Sequence, residues 1–192
     1  MNRASSLLLL TVLLILILGV SGCAGQRIAG PVSSQHGAII GNIQAPDIWD
    51  LILYELDKVY VTPFAKPPYA YIDKKGNFIF INLTPGQYYL SHWTGGRGGR
   101  TTYKISLGKK IVDQLLTEVK AGEITYTGSF TAKVTRKAFI VPGKFEFGRV
   151  PEPSEKEILS DLLTLTKGTG WDAMIENRLK EIDKRPPATA TK

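Results

Sequence analysis

Apolar positions follow three different rhythms along this 192-residue chain. The first is a run from Leu7 to Val20, behind a polar start with one positive charge, Arg3, and ending in Ser21 and Gly22. A positive start, a short apolar stretch and a small-residue boundary are the marks of a secretory signal, and the run is short for a membrane span. Periodicity then disappears. Residues 23–36 mix Gly, Ser, Gln and Pro31, which predicts a flexible tether. From Gly37 apolar residues alternate as in short strands, and from Ser154 they recur at helical spacing.

Within the alternating region, His36 to Ile43 predicts a first strand with Ile39 and Ile43 on one face. Leu51 to Val61 predicts a second, although Trp49 to Leu56 also reads as a helical turn. Pro63, Pro67 and Pro68 mark a loop or a sheet edge, since proline cannot donate to a ladder. Asp73 to Asn77 reads as a tight turn with Gly76 at positive φ. Phe78, Phe80, Leu83, Tyr88 and Leu90 then form one apolar set, slipping by one residue near Asn82 as a bulge would. Thr84-Pro85-Gly86-Gln87 fits a type II turn, so this stretch reads as a hairpin. Ile79, Ile81 and Tyr89, on the opposite face, are apolar too. A face turned to water carries polar residues, so a cover is expected, with the C-terminal helices as nearest candidate.

Thr101 to Leu107 predicts another strand, and Lys109 to Lys120 reads either as strand or as a short helix. Glu123 to Val134 alternates most cleanly, placing Ile124, Tyr126, Gly128, Phe130, Ala132 and Val134 on one side. Ala138 to Val141 and Lys144 to Val150 suggest a hairpin around Pro142-Gly143. Ser154, with Glu157 three residues on, has the spacing of a capping box. Ile158, Leu159, Leu162, Leu163 and Leu165 form the stripe of one helix, and Trp171, Ile175, Leu179 and Ile182 that of a second. The organisation expected is a signal over 1–22, the tether over 23–36, a β-sandwich over 37–150, a helical extension over 151–184 and a disordered tail over 185–192.

Two resemblances add to this. Val20-Ser21-Gly22-Cys23 resembles the bacterial lipoprotein box: a branched apolar residue, a small residue, Gly, then Cys. That resemblance implies diacylglycerol on the Cys23 thiol, cleavage before Cys23 and acylation of the new amine. The alternative is an ordinary signal with an incidental cysteine, or an uncleaved anchor. Cys23 is the sole cysteine, so no intramolecular disulfide forms. Ala24 rather than Asp after it resembles the outer-membrane-sorted form of enterobacterial-type envelopes, which implies a lipid-anchored protein on the outer membrane facing the periplasm. Gly37-x-Ile39-x-Gly41, followed by Asp73-x-x-Gly76-x-Phe78-x-Phe80-x-x-Leu83-x-Pro85-Gly86-x-Tyr88-x-Leu90, resembles the carboxypeptidase regulatory-like, or transthyretin-like, domains. Ala121-Gly122 before Ile124 resembles the last strand of such domains. The likeness covers roughly residues 37–134. It implies a mainly β fold, an Ig-like Greek-key β-sandwich of about seven strands, in a non-catalytic role. The C-terminal pair of α-helices is expected to pack on it.

Composition narrows the partners. The formal charge of +7 falls to +6 once the signal and its Arg3 are removed, and the lysines are spread along the chain. Export argues against nucleic acid. Anionic lipid headgroups or acidic polymers fit better, and a merely soluble surface fits best. The two histidines, His36 and His92, lie far apart without ligand-like neighbours, and neither Gly-x-Ser-x-Gly, His-Glu-x-x-His nor a Walker-type stretch occurs. No catalytic residue, metal ligand or cofactor is assigned. Lys74 and Lys75 spoil the charge of the Asp73 to Asn77 turn for calcium. One stretch, His92 to Arg100, invites a ligand: Arg97 and Arg100 could pair with an anion while Trp93 packs on a sugar or ring. Glycine this dense costs entropy to order, which favours a plain connection. The function expected is a non-enzymatic, lipid-anchored envelope module for protein or polysaccharide partners. The alternatives are an accessory subunit of a larger envelope complex, with the Trp171 helix docked on its partner, and an unrecognised hydrolase.

Overall fold

A computed structural model describes residues 28–45, 48–56, 67–95, 103–106, 115–137 and 141–184, without the side chains of 49, 95, 103–106, 134–137 and 141–145. Cys23, Arg97, Arg100, residues 1–27 and the 185–192 tail lie outside the described residues. Nine strands are described: β1 (Gly37–Gln44), β2 (Ile48–Glu55), β3 (Tyr71–Ile72), β4 (Asn77–Leu83), β5 (Gly86–Gly95), β6 (Tyr103–Ser106), β7 (Thr117–Val119), β8 (Ile124–Lys137) and β9 (Val141–Val150). One sheet has the order β3-β4-β1-β8-β9, antiparallel except where β1 runs parallel to β8. The other is built on β5, with β2 along one edge and β6 and β7 sharing the second edge at its two ends. Between them lies a core to which the first sheet gives Ile39, Ile43, Phe78, Phe80 and Phe130, and the second Leu51, Leu53, Tyr88, Leu90 and Trp93. The fold class is the one that the alternation predicts, a mainly β sandwich with two C-terminal helices packed on it. The very short β3 and β7 account for the excess over seven strands.

Those helices are α1 (Glu155–Thr166) and α2 (Trp171–Asp183). Ser154 starts α1 with the predicted capping box, its Oγ accepting from the Glu157 N–H while the Glu157 carboxylate accepts from the Ser154 N–H at 2.8 Å. Ile158, Leu159 and Leu162 from α1, with Trp171 and Ile175 from α2, close a second apolar layer over the outer face of the first sheet. Ala38, Ile40, Ile79 and Ile124 are the sheet's share of it, with Ile81 at its margin. The cover expected over Ile79 and Ile81 is therefore present. Tyr89 is different: it belongs to the other sheet and meets Tyr54 edge to face, with ring centroids 6.1 Å apart. Leu165, expected in the buried stripe, stands 40% exposed, and Thr166 is buried instead, its hydroxyl donating to the Leu162 carbonyl.

Four further expectations are corrected. The Pro85-Gly86 connection does not close a hairpin, because β4 pairs in the first sheet and β5 in the second; Gly86 is not at positive φ either, so the turn is not type II. Alternation cannot tell two neighbours in one sheet from two strands facing each other across a core, since both point the same set inward. Pro142 and Gly143 lie inside β9, whose partner is β8, so they are not the turn of that hairpin. The apolar side of β8 is not one side: Ile124 and Tyr126 face the helices, whereas Phe130 and Ala132 face the sandwich core. Gly128, at φ +122, marks the register shift that turns the strand over.

The fourth concerns the tether. Of residues 23–36, Ile28 is buried among the helices, the Trp171 indole N–H donates to the Ala29 carbonyl at 3.0 Å, and the Asn82 amide holds Val32 N–H and Gly30 C=O. The chain is thus docked from Ile28 onward.

Candidate functional site

Because the Lys75–Asp161 and Gln44–Glu152 contacts tie the start of α1 to one end of the sheet, and Asn82 ties Gly30 to the other, the body has two distinct ends. The first carries a cleft of about 490 Å³, lined by Asn42 and Gln44 of β1, Lys75 and Asn77 at the 73–77 turn, and α1 from Ser154 to Asp161. Its floor is a chain of amides and carboxylates. Asn42 Nδ2 donates to Asn77 Oδ1 at 2.7 Å and to the Lys75 carbonyl at 3.1 Å. Asn77 Nδ2 donates to Asp73 Oδ2 at 2.8 Å and to Asp161 Oδ2 at 3.0 Å. Asp73 Oδ1 accepts the N–H groups of Lys75 and Asn77, closing the turn in which Gly76 takes φ +81.

Charge at the cleft is balanced. Lys75 Nζ pairs with Asp161 at 2.7 Å, and the hydrogen bond to that carboxylate raises the lysine's pKa. The Glu157 carboxyl is held below the usual range, first by the Ser154 N–H and then by its hydroxyl. A carboxylate so held is ionised near neutral pH and has no proton to give as a general acid. What the cleft offers is amides, hydroxyls from Ser154 and Ser160, and paired charges, a set suited to hydrogen-bonding a polar ligand. Among the described residues no cluster of three His, Cys, Asp or Glu side chains could hold a metal ion.

The sequence-predicted candidates are not brought together here. Trp93 is not in a ligand loop: it lies in β5, 1% exposed, its ring 5.9 Å from that of Phe147, which stacks in turn on Phe130 at 5.2 Å. A sugar cannot reach it without opening the core. His36 is hydrogen-bonded through Nδ1 to the Ser33 hydroxyl at 2.9 Å, and His92 to the Ser91 hydroxyl at 2.6 Å with its ring against Tyr54. Trp171, whose helix the accessory-subunit alternative would dock on a partner, is wholly taken up by its own body. Asn42 and Asn77 escaped the sequence reading. Their signal was a polar residue between Ile40 and Ile43 in a core strand, and a second at the exit of a turn, each 1% exposed.

No protein-family model matches the chain, and no curated protein sequence matches it.

Proposed function

We propose that this protein is a bacterial lipoprotein of the cell envelope, anchored through acylated Cys23, whose β-sandwich and helical cap form a non-enzymatic module for a protein or polysaccharide partner. The observation that carries it is the Val20-Ser21-Gly22-Cys23 box at the end of a signal-like run, a few residues before a folded body. Each buried acyl methylene contributes about 0.8 kcal/mol, so two or more chains hold a body that needs no spanning helix of its own. Among the described residues no helix is long and apolar enough to cross a membrane. The likeness to carboxypeptidase regulatory-like domains supports the non-catalytic part, and Ala24 supports sorting to the outer membrane.

Mass spectrometry of the N-terminal peptide from native membranes tests the anchor. The expected product begins at Cys23 and carries the lipid; Cys23→Ser leaves an uncleaved, unacylated chain. A mature protein with a free thiol, or with another start, refutes it. Crosslinking on intact cells followed by mass spectrometry identifies the partner, with contacts expected around the polar cleft.

A further inference from the structure

We infer that the body sits on the membrane in one orientation: the end carrying Val32, Leu165 and the α1–α2 turn rests on the lipid surface, and the polar cleft faces away. This rests on the acylation of Cys23 proposed above. Four residues lie between Cys23 and the docked Ile28, and the five steps from one to the other span at most about 18 Å when extended. The headgroup layer takes up roughly 6 Å of that reach. Ile28 enters beside the first turn of α2: Trp171 holds Ala29, and Gly30 and Pro31 lie against Thr169 and Gly170. From there α1 leads back to the cleft, and its 12 residues alone measure about 18 Å. What is left of the tether is shorter than that. The cleft therefore cannot turn to the bilayer while Ile28 stays docked.

Surface chemistry at the anchored end agrees. Two of the five large apolar side chains exposed among the described residues are there, Val32 at 73% and Leu165 at 40%. An apolar residue that meets water in the free body is buried in the headgroup–acyl boundary once the protein is anchored. Charge does not drive the contact. The described charges at this end, Lys120 and Lys167 against Glu123 and Asp172, are equal in number and the tether adds only Arg27, so tether length and apolar contact set the orientation.

The acylated full chain, reconstituted in vesicles, permits a direct test. With Cys23 blocked by lipid, one introduced cysteine is the sole thiol to label. A fluorophore on Leu165→Cys or Lys167→Cys is expected to be quenched several-fold more by shallow nitroxide lipids than one on Lys74→Cys, which lies by the cleft. The ratio should be the same in neutral and anionic vesicles. Inserting twenty Gly/Ser residues after Gly25 should remove the difference, because such a linker reaches about 25 Å on average. Equal quenching with the native spacer, or stronger quenching at position 74, overturns the orientation while leaving the anchor intact. A reactive Cys23 thiol, with no flotation on vesicles, overturns the anchor reading itself.

Discussion

Trp171 joins three parts of this molecule, and replacing it tests whether the helical cap belongs to the fold. The side chain is fully buried, packs with Ile79, Ile158, Leu162 and Ile175, and donates its indole N–H to the Ala29 carbonyl. Removing a buried tryptophan down to alanine costs about 3–5 kcal/mol, transfer and cavity together. The lost hydrogen bond accounts for about 1 kcal/mol. Trp171→Phe keeps most of the apolar volume but not the donor, so its expected cost is about 1–2 kcal/mol. Both are measured by urea unfolding of the chain expressed from Ala24, without signal or acyl groups, where the midpoint should fall with the slope m unchanged. Against a typical domain stability of about 5–15 kcal/mol, the alanine variant loses a large share. A second readout separates packing from docking: in both variants the segment Ile28–Val32 should become sensitive to protease before the core does. A loss under about 1 kcal/mol for Trp171→Ala, in one cooperative transition, would refute the idea that helices and sheet share one core.

Other expectations follow from single positions. Gly128→Ala forces a side chain to φ +122, with its Cβ within 3.0 Å of the Arg149 guanidinium carbon; a loss of about 2 kcal/mol is expected by the same urea titration. Asn77→Ala strips the buried partner from Asn42 Nδ2 and the link to Asp161, and should cost about 2 kcal/mol while loosening the start of α1, read as faster amide exchange at Glu155 to Leu159. The Asp172 carboxylate accepts the N–H groups of Gly168, Gly170 and Ala173, and these hold its pKa below the ordinary aspartate value. Its pKa being lower folded than unfolded, the stabilisation is present above the unfolded value and is lost as pH falls through the folded one. Asp172→Ala should therefore be less stable than the parent at pH 7, with the gap closing in acid; a gap that persists to pH 2 would contradict this.

What could be read in advance followed from local chemistry. The capping box at Ser154 and Glu157, the Asp73–Gly76 turn and the helix stripes depend on neighbours within a few residues, and all appear as expected but for Leu165 at the end of the first stripe. Doubly apolar β4 foretold a cover over Ile79, because only a third layer explains apolar residues on both faces of a strand. Partner choice was not readable. Pro85-Gly86 has the composition of a hairpin turn, but whether β5 returns beside β4 or crosses over depends on which edges are already filled, and β4 lies between β3 and β1. The cleft was hidden for a similar reason: Asn42 and Asn77 meet only through the pairing of β1 with β4, and Asp161 joins them only by the seating of α1.

Register slips show where alternation stops being informative. The same core receives Phe80 and Leu83 across a slip at Asn82, which sits at φ +56, and Leu90 and Trp93 across another between the pairs Leu53–Leu90 and Ile52–His92. When both sides of a slip feed one core, the apolar residues stand three apart, and the odd spacing is visible in sequence. Asn82 could be recognised in this way. Trp93 could have been, had the glycines after it not suggested that the strand was already over. At Gly128 the slip coincides with a change of layer, from the helices at Tyr126 to the sandwich core at Phe130. Strand inversion and change of destination cancel, the spacing stays even, and the pattern looks unbroken. The cleanest alternation in the chain therefore belongs to the strand that changes its burial partner, and only the positive φ of its glycine, a property of the folded backbone, gives the exchange away.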